Sequence, residues 1–352
     1  MNSPTISIII ATYNSERSLE KVLDSIETQQ YPSKKVEKII VDGGSTDKTI
    51  EIAKKHKCTM IHNYKVEPVN AKYLGYKQAR GEFVLYLDHD EVINNSNSFQ
   101  KKLEAFYSDE NIFAVIGSGY VTPKKYPKVN YYINEFGDPF SFFIYKLSKD
   151  YRFFIKTMKK RYSIIKETKD FIVLSFPLNS QVPLIELVAG GSMINYKKFN
   201  KSYPQVKKSK ELLPHLFYLL KNDNKRIAIT KDDTITHYSA DKMSKYLNKI
   251  LWRIKNNIYH VKDMGAAGFT GRQIYEQKGQ TFKKYLFLPY AFTIILPLFD
   301  SLYLCISRKN NVYLIHLPLT IFTALMISYH LIIRSMGKNR PLKSYDETFE
   351  IS

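Results

Sequence analysis

Short apolar runs alternate with amphipathic stretches over the first 120 residues. Thr5–Thr12, Val36–Val41, Thr59–His62, Phe83–Leu87 and Ile112–Ser118 are brief and rich in β-branched residues, the pattern of buried strands. Between them lie predicted helices: Ser18–Gln30, with Leu19, Val22, Leu23 and Ile26 on one face, a helix capped by Thr46 or Asp47 and running through Lys55, then Asn70–Ala79 and Ser96–Tyr107. Strands alternating with helices at this spacing need right-handed crossovers, which predicts an α/β fold with a mostly parallel, doubly wound sheet. In such sheets ligands bind outside the carboxyl ends of the strands. Tyr13, Asp42 and the pair Asp88 and Asp90 each follow directly on a strand, so three polar clusters are expected at one sheet edge.

The third cluster is the most pointed. The apolar run Val84–Leu87 ends abruptly in Asp88-His89-Asp90-Glu91. Carboxylates at i and i+2 of a continuing strand face the same side and can converge on a cation or on sugar hydroxyls. Mg²⁺ favours a few carboxylates plus substrate phosphates over an all-protein cage. A solvated acidic turn is the alternative. No Gly-x-Gly-x-x-Gly follows the first strand and no Walker A motif is present, which disfavours a dinucleotide-binding enzyme.

Three runs in this order and spacing, Ser7–Asn14, Ile40–Thr49 and Ala79–Asp90, resemble the family 2 glycosyltransferases, inverting enzymes of the GT-A (Rossmann-like) fold. The resemblance implies a nucleoside-diphosphate sugar donor and a divalent metal, Mg²⁺ or Mn²⁺. It implies a base pocket lined by Thr12 and Tyr13, with the Tyr13 ring against the nucleobase, and Asn14 among the residues that bind the nucleotide sugar. Glu16 would lie near the ribose or base, Asp42 would accept a hydrogen bond from the base, and Lys72 would approach the diphosphate. Asp88 and Asp90 would hold metal and donor, joined by His237, which follows a predicted last strand at Arg226–Thr230. The glycine pair in Leu187–Ile194 would pass beneath the donor sugar; a bend in a strand is the plain alternative. Such enzymes carry an acidic pair at the start of a helix, one member being the base. Here Glu211 matches the first acid and Leu212 replaces the second, so either Glu211 or another carboxylate serves.

The middle of the chain is less regular. Phe142–Tyr162 reads as one aromatic helical stretch bearing Lys146, Lys149, Arg152 and Lys156, suited either to a membrane surface or to a solvated basic face. Asp138 is a candidate for touching the acceptor. Lys242–Tyr259 is a basic amphipathic helix, and Gly265–Gly271 a flexible loop. Two apolar segments follow, Tyr285–Ile306 and Val312–Ile333, each near the ~20 residues that cross a bilayer core. Pro289, Pro297 and Asp300 interrupt the first, and His316, Pro318 and His330 the second, so kinked spans and a re-entrant hairpin are both open. Lys283, Lys284, Arg334, Lys338, Arg340 and Lys343 on the outer flanks outnumber Arg308 and Lys309 in the connector, which puts catalytic domain and tail on the cytoplasmic side of the membrane. The expected domains are 1–240 for catalysis (1–120 for the nucleotide sugar, 121–240 for the acceptor), 241–284 as a linker, 285–333 as the membrane helices and 334–352 as a tail.

A net charge of +20 over 352 residues suits anionic lipid, phosphorylated substrates or nucleic acid. The rings at 142–162 stand in no RNA-binding motif, so no nucleic acid is expected. Cys58 and Cys305 are too far apart in sequence for a metal or redox motif, which fits a reducing compartment. Met1–Ile6 has no basic segment leading into an apolar one, so no secretory signal is expected. The expected reaction is sugar transfer, with inversion, to a sugar or polyprenyl-linked acceptor in surface-glycan assembly. A nucleotidyltransferase should show a Gly-rich phosphate loop after the first strand, and Ala11-Thr-Tyr-Asn14 is not one. A basic membrane- or nucleic-acid-binding protein without catalysis is the other rival.

Overall fold

The computed structural model describes residues 5–65, 67–176, 185–259, 275 and 278–338. They form two compact units, one drawn from residues 5–121, 150–176 and 185–237, the other from 122–149 and 238–338. The expected loop at Gly265–Gly271, Arg340, Lys343 and the rest of the tail from 339 lie outside the described residues.

The first unit holds twelve strands: β1 (Ile6–Thr12), β2 (Val36–Asp42), β3 (Thr59–His62), β4 (Phe83–Asp88), β5 (Glu91–Ile93), β6 (Ile112–Ile116), β7 (Tyr120–Val121), β8 (Ser163–Glu167), β9 (Phe171–Ser175), β10 (Ser192–Asn195), β11 (Arg226–Thr230) and β12 (Ile235–His237). Nine form one sheet in the order β3-β2-β1-β4-β10-β6-β11-β9-β8. β3, β2, β1 and β4 are parallel neighbours. Helices α1 (Leu19–Glu27), α2 (Thr49–Lys55), α3 (Pro68–Gln78) and α4 (Ser98–Tyr107) lie between strands of this half, close to the predicted bounds.

Beyond β4 the mostly parallel expectation gives way to a mixed sheet. β10 is antiparallel to both β4 and β6, β11 is parallel to β6, and β9 and β8 continue antiparallel. β10 is entered from the turn at Gly190 and Gly191, so it needs no crossover helix and runs the opposite way. Its first residues therefore start at the edge where β4 ends.

Burial explains why these runs are strands. Phe83 to Leu87 is almost wholly enclosed, as are Ile8, Ile9 and Ile10 of β1. Each such side chain contributes about 1.5–3 kcal/mol relative to exposure. Leu19, Val22, Leu23 and Ile26 of α1 cover one face of the sheet. On α3, a Cβ at Gly75 would come within 2.4 Å of the Ile9 side chain, so glycine sets how closely this helix approaches β1.

Three short strands form a second sheet, β5-β12-β7. They follow β4, β11 and β6 respectively, so this small sheet gathers segments leaving the carboxyl ends of three central strands. A buried ion pair anchors it. Lys102 of α4 bonds Ser98 Oγ at 2.7 Å and pairs with Asp233, both charged side chains being almost fully enclosed. Thr230 Oγ1 donates to Asp233 Oδ2 at 2.6 Å, and the Asp233 amide donates to Ser118 Oγ at 2.9 Å.

The second unit is helical, with helices at Val129–Phe136, Pro139–Tyr145, Met243–Tyr259, Lys278–Phe292, Ile295–Arg308 and His316–Ser335. Residues 122–149, grouped with the catalytic domain in the sequence reading, pack here with the C-terminal third around Tyr132, Phe136, Phe142, Tyr246 and Tyr313. The single stretch expected over Phe142–Tyr162 is two helices, Pro139–Tyr145 and Phe154–Arg161, in different units. Lys146 in the left-handed region ends the first, and Asp150 holds Arg152 in a two-bonded turn before the second. Asp138 caps the first of these helices, accepting from the Ser141 amide at 2.7 Å, and pairs with Arg253 at 2.6 Å.

Charged groups inside this unit are matched. Glu135, fully buried, meets Arg308 at 2.8 and 2.9 Å and accepts from Tyr313. His316 sits between the Tyr132 and Tyr290 hydroxyls at 2.6 and 2.9 Å. Among the described residues Asn311–Ser335 is long and apolar enough to cross a membrane, while Thr281–Phe292 and Ile295–Arg308 qualify only as a pair bent by 92°. The break has local causes. Ile294 has φ +60°, and Pro297 lacks the amide that would continue the ladder.

Removing one partner of the enclosed ion pair leaves the other charged and dry. Lys102→Met should lower the unfolding free energy by about 3–5 kcal/mol in urea titrations, and adding Asp233→Leu should recover most of that loss.

Candidate active site

The strand register assembles the site. Thr12 stands beside Asp42 across β1 and β2, and Ala11 beside Asp88 across β1 and β4. The three clusters expected at one sheet edge are there.

The Asp42 end is built from chain-to-chain hydrogen bonds. Its Oδ1 accepts from Thr12 Oγ1 at 2.8 Å and Ser45 Oγ at 2.6 Å, and its Oδ2 from the Gly44 and Ser45 amides at 2.8 Å each. A carboxylate has about four acceptor positions, so Asp42 is filled as an organiser of its loop. Asn14, with φ +46°, accepts from the Thr46 amide at 2.9 Å and donates its own amide to Ser45 Oγ at 2.8 Å. Glu16 accepts from the Lys48 amide at 3.1 Å. Asn14 and Glu16 thus clasp the 44–48 loop, and Tyr13 between them is half-buried.

The Asp88 end is electrostatic. Lys72, buried on α3, places Nζ 2.6 Å from Asp88 Oδ1. Burial opposes the lysine charge, but Asp88, Glu91 and Glu186 outweigh it and hold its pKa above the ordinary lysine value. His237 lies at the end of β12, with Nε2 3.5 Å from Asp90 Oδ2 and its ring 5.0 Å from that of Tyr120. Asp90 beside His237, with Asp88 two residues before it at the end of β4, offers hard oxygen and imidazole donors of the kind that suit a divalent cation such as Mn²⁺ or Mg²⁺.

Glu91 is the site residue that sequence reasoning left unassigned. It is 1% exposed, and its Oε2 accepts from the Asp88 amide at 2.9 Å and the Gly190 amide at 2.7 Å. Its Oε1 accepts from the Tyr120 hydroxyl at 2.8 Å. Gly190 has φ +67°, and a Cβ there would reach 2.8 Å from the Tyr120 hydroxyl, so the turn that passes this site requires glycine. Glu91 directly follows the acid-x-acid pair, a visible signal, but its burial depends on β12 and β7 closing over it.

Glu211 lies in a 3-10 turn, Lys210–His215, rather than in an α-helix, because Pro214 has no amide to donate. Ser209 Oγ donates to it at 2.6 Å, and this bond, with Lys210 and Lys65 nearby, holds its pKa below the usual glutamate value. The turn packs against α3, where Tyr73 donates to the Lys207 carbonyl at 2.6 Å and Lys210 pairs with Glu67 at 2.9 Å.

Burial and the neighbouring Asp88 push the Glu91 carboxyl up to about 7, from 4.5 in an unfolded chain. A raised acid contributes stability that is complete below pH 4.5 and is lost as the pH climbs through 7. Glu91→Gln keeps a neutral acceptor and donor in place. Its stability relative to wild type should rise by about 3 kcal/mol between pH 4.5 and 8 in urea titrations; an unchanged difference would contradict the buried-acid assignment.

Known proteins resemble this chain in sequence and in fold. The sequence profile of glycosyl transferase family 2 matches residues 7–171. Over 94 residues, 25% of this chain, the sequence is 36% identical to poly(ribitol-phosphate) beta-N-acetylglucosaminyltransferase TarS of Staphylococcus aureus. Over 139 residues, 36% of this chain, it is 32% identical to UDP-Glc:alpha-D-GlcNAc-diphosphoundecaprenol beta-1,3-glucosyltransferase WfaP of Escherichia coli. The chain spans 16% and 53% of the lengths of these two relatives. In fold it is similar to the mannosyltransferase PcManGT from Pyrobaculum calidifontis, solved in complex with GDP-Man and Mn²⁺. That likeness has a TM-score of 0.51 at 13% identity and covers 94% of this chain and 88% of the other. With all three motif runs inside it, the matched segment is similar to glycosyl transferase family 2, and the fold is α/β of the GT-A type.

Proposed function

We propose that this protein transfers a sugar from a nucleoside-diphosphate sugar to a hydroxyl of a polysaccharide or polyprenyl-linked acceptor, with inversion, at the cytoplasmic face of a membrane. The observation that carries the reading is the pair Lys72–Asp88 together with the pair His237–Asp90, both at the end of β4 on the carboxyl edge of the sheet. The relatives' names add support: one uses a diphosphoundecaprenol-linked acceptor, another a poly(ribitol-phosphate), and the solved mannosyltransferase holds GDP-Man and Mn²⁺.

In this reading the Tyr13 ring packs on the base and the Thr12–Asp42 loop shapes its pocket. Asp88, Asp90 and His237 would hold a divalent cation, which would supply Lewis-acid neutralisation of the diphosphate. Lys72 adds a fixed positive charge where the leaving group gains negative charge, and it is charged at neutral pH because its carboxylate neighbours keep it so. Glu211, ionised at neutral pH, takes the proton of the acceptor hydroxyl as that oxygen attacks the anomeric carbon from the face opposite the diphosphate.

The membrane reading rests on the helices from 278 to 335. Phe292, Ile295, Phe299, Tyr303 and Ile306 all have about half or more of their surface exposed, a large apolar face for a water-soluble chain. Arg308, Lys309, Arg334 and Lys338 stand near the helix ends, where lysine and arginine meet anionic headgroups.

Metal-dependent nucleoside-diphosphate release should appear with one member of a panel of UDP-, GDP- and dTDP-sugars and fall about a hundredfold or more in Asp90→Ala. Glu211→Gln should lose transfer in the presence of an acceptor extract by a similar factor while keeping donor affinity. No release from any donor by folded protein would overturn the assignment. Flotation with liposomes containing anionic lipid should be lost in Ile295→Asp/Phe299→Asp; retention by that variant would remove this face from the membrane contact.

A further inference from the structure

Outside the donor site, a second cluster of metal-type donors lies between α1 and the end of α2. Glu20, Asp24 and Glu27 are spaced four and three residues apart on α1, so their carboxylates share one helix face. His56 directly follows α2, about 10 Å of helix beyond the 42–48 loop, and it is 6% exposed. Its Nδ1 lies 3.1 Å from Glu27 Oε1, within hydrogen-bond range. Its Nε2 stands 3.8 Å from Glu20 Oε1 and 3.9 Å from Asp24 Oδ1, beyond that range. Nε2 has no hydrogen-bond partner among the described residues.

A buried ring nitrogen facing two carboxylates across such gaps is unfavourable unless something positive lies between them. The spacing suits an ion making bonds of about 2.0–2.2 Å to each side. The other half of the arrangement fits as well. Ligating histidines donate their second ring N–H to a carboxylate, which fixes the tautomer and aims the free nitrogen at the metal. Asp24, Glu27 and His56 each place one donor atom within 4.8 Å of the other two. Two lysines share the cluster: Lys55 on Glu20 at 2.5 Å, and Lys38 on Glu27. Lys55 is mostly exposed and free to swing away from Glu20 when a divalent ion arrives.

We propose that His56 Nε2 and Asp24, with Glu20 beside them, bind a borderline divalent cation of the zinc class, and that Glu27 orients the ring through Nδ1. An imidazole–carboxylate donor set favours such an ion over Mg²⁺. The site is independent of the donor-binding cluster. It would tie α1, which follows the Tyr13 loop, to α2, which follows the Asp42 loop.

The test is zinc stoichiometry on the full chain. Wild type, Asp24→Asn, His56→Ala and Asp90→Asn are stripped with chelator, re-equilibrated with Zn²⁺ alone and measured by elemental analysis, with Co²⁺ absorption as a second readout. Wild type and Asp90→Asn should both retain a zinc that Asp24→Asn and His56→Ala lose, with affinity reduced tenfold or more. Zinc should also raise the melting temperature of Asp90→Asn and leave that of the double variant Asp24→Asn/Asp90→Asn unmoved. Asp24 is well exposed, so its replacement is safe for folding even where His56→Ala is not. Equal zinc content in wild type and Asp24→Asn would overturn the proposal.

Discussion

One buried carboxylate holds the active edge together. Glu91 receives the amide of Asp88 at the end of β4, the amide of Gly190 in the turn before β10, and the hydroxyl of Tyr120 on β7. The farthest of these partners, Gly190, is 99 residues from Glu91 in sequence. An acid enclosed to this degree is costly unless its oxygens are satisfied, and here the partners that satisfy it are also the walls of the site. The acid-x-acid pair, the glycine turn and the Tyr120–His237 stack therefore form as one arrangement.

The antiparallel β10 makes this possible. A parallel strand beside β4 would have brought its carboxyl end, and a crossover helix, to the same edge. Running the other way, β10 brings its amino end instead, so a bare backbone turn crosses next to Asp88. A turn of this kind lets main chain come close to a bound molecule without a side chain intervening. The parallel half does the complementary task, since its register aligns Thr12, Asp42 and Asp88.

The same logic of matched polar groups runs through both units. In the first, Lys102 and Asp233 neutralise each other beneath the turn that leads into β12, which keeps His237 in line with Asp90. In the second, Glu135 with Arg308 and Tyr313, and His316 between two tyrosines, pin apolar helices to one another. Apolar packing alone is tolerant of sliding and rotation, whereas a satisfied buried pair admits few alternatives.

Local information carried much of this. The periodicity of the first 120 residues determined the order of strands and helices, and Tyr13, Asp42, Asp88 and Asp90 were legible as strand-end residues because an apolar run stops abruptly before each. The family resemblance placed Lys72 and His237, which lie at the same edge. Other features were invisible locally because they depend on partners far away in the chain. Whether Asp42 faces a ligand or its own loop is decided by Thr12 and Ser45. The direction of β10 is decided by which edge receives it, and the division of 142–162 between two units by where each half finds an apolar surface. Sequence alone determined the elements and the chemistry available at their ends. Tertiary structure decided which of those groups are buried together, because burial and electrostatic partnership are properties of contacts between distant segments.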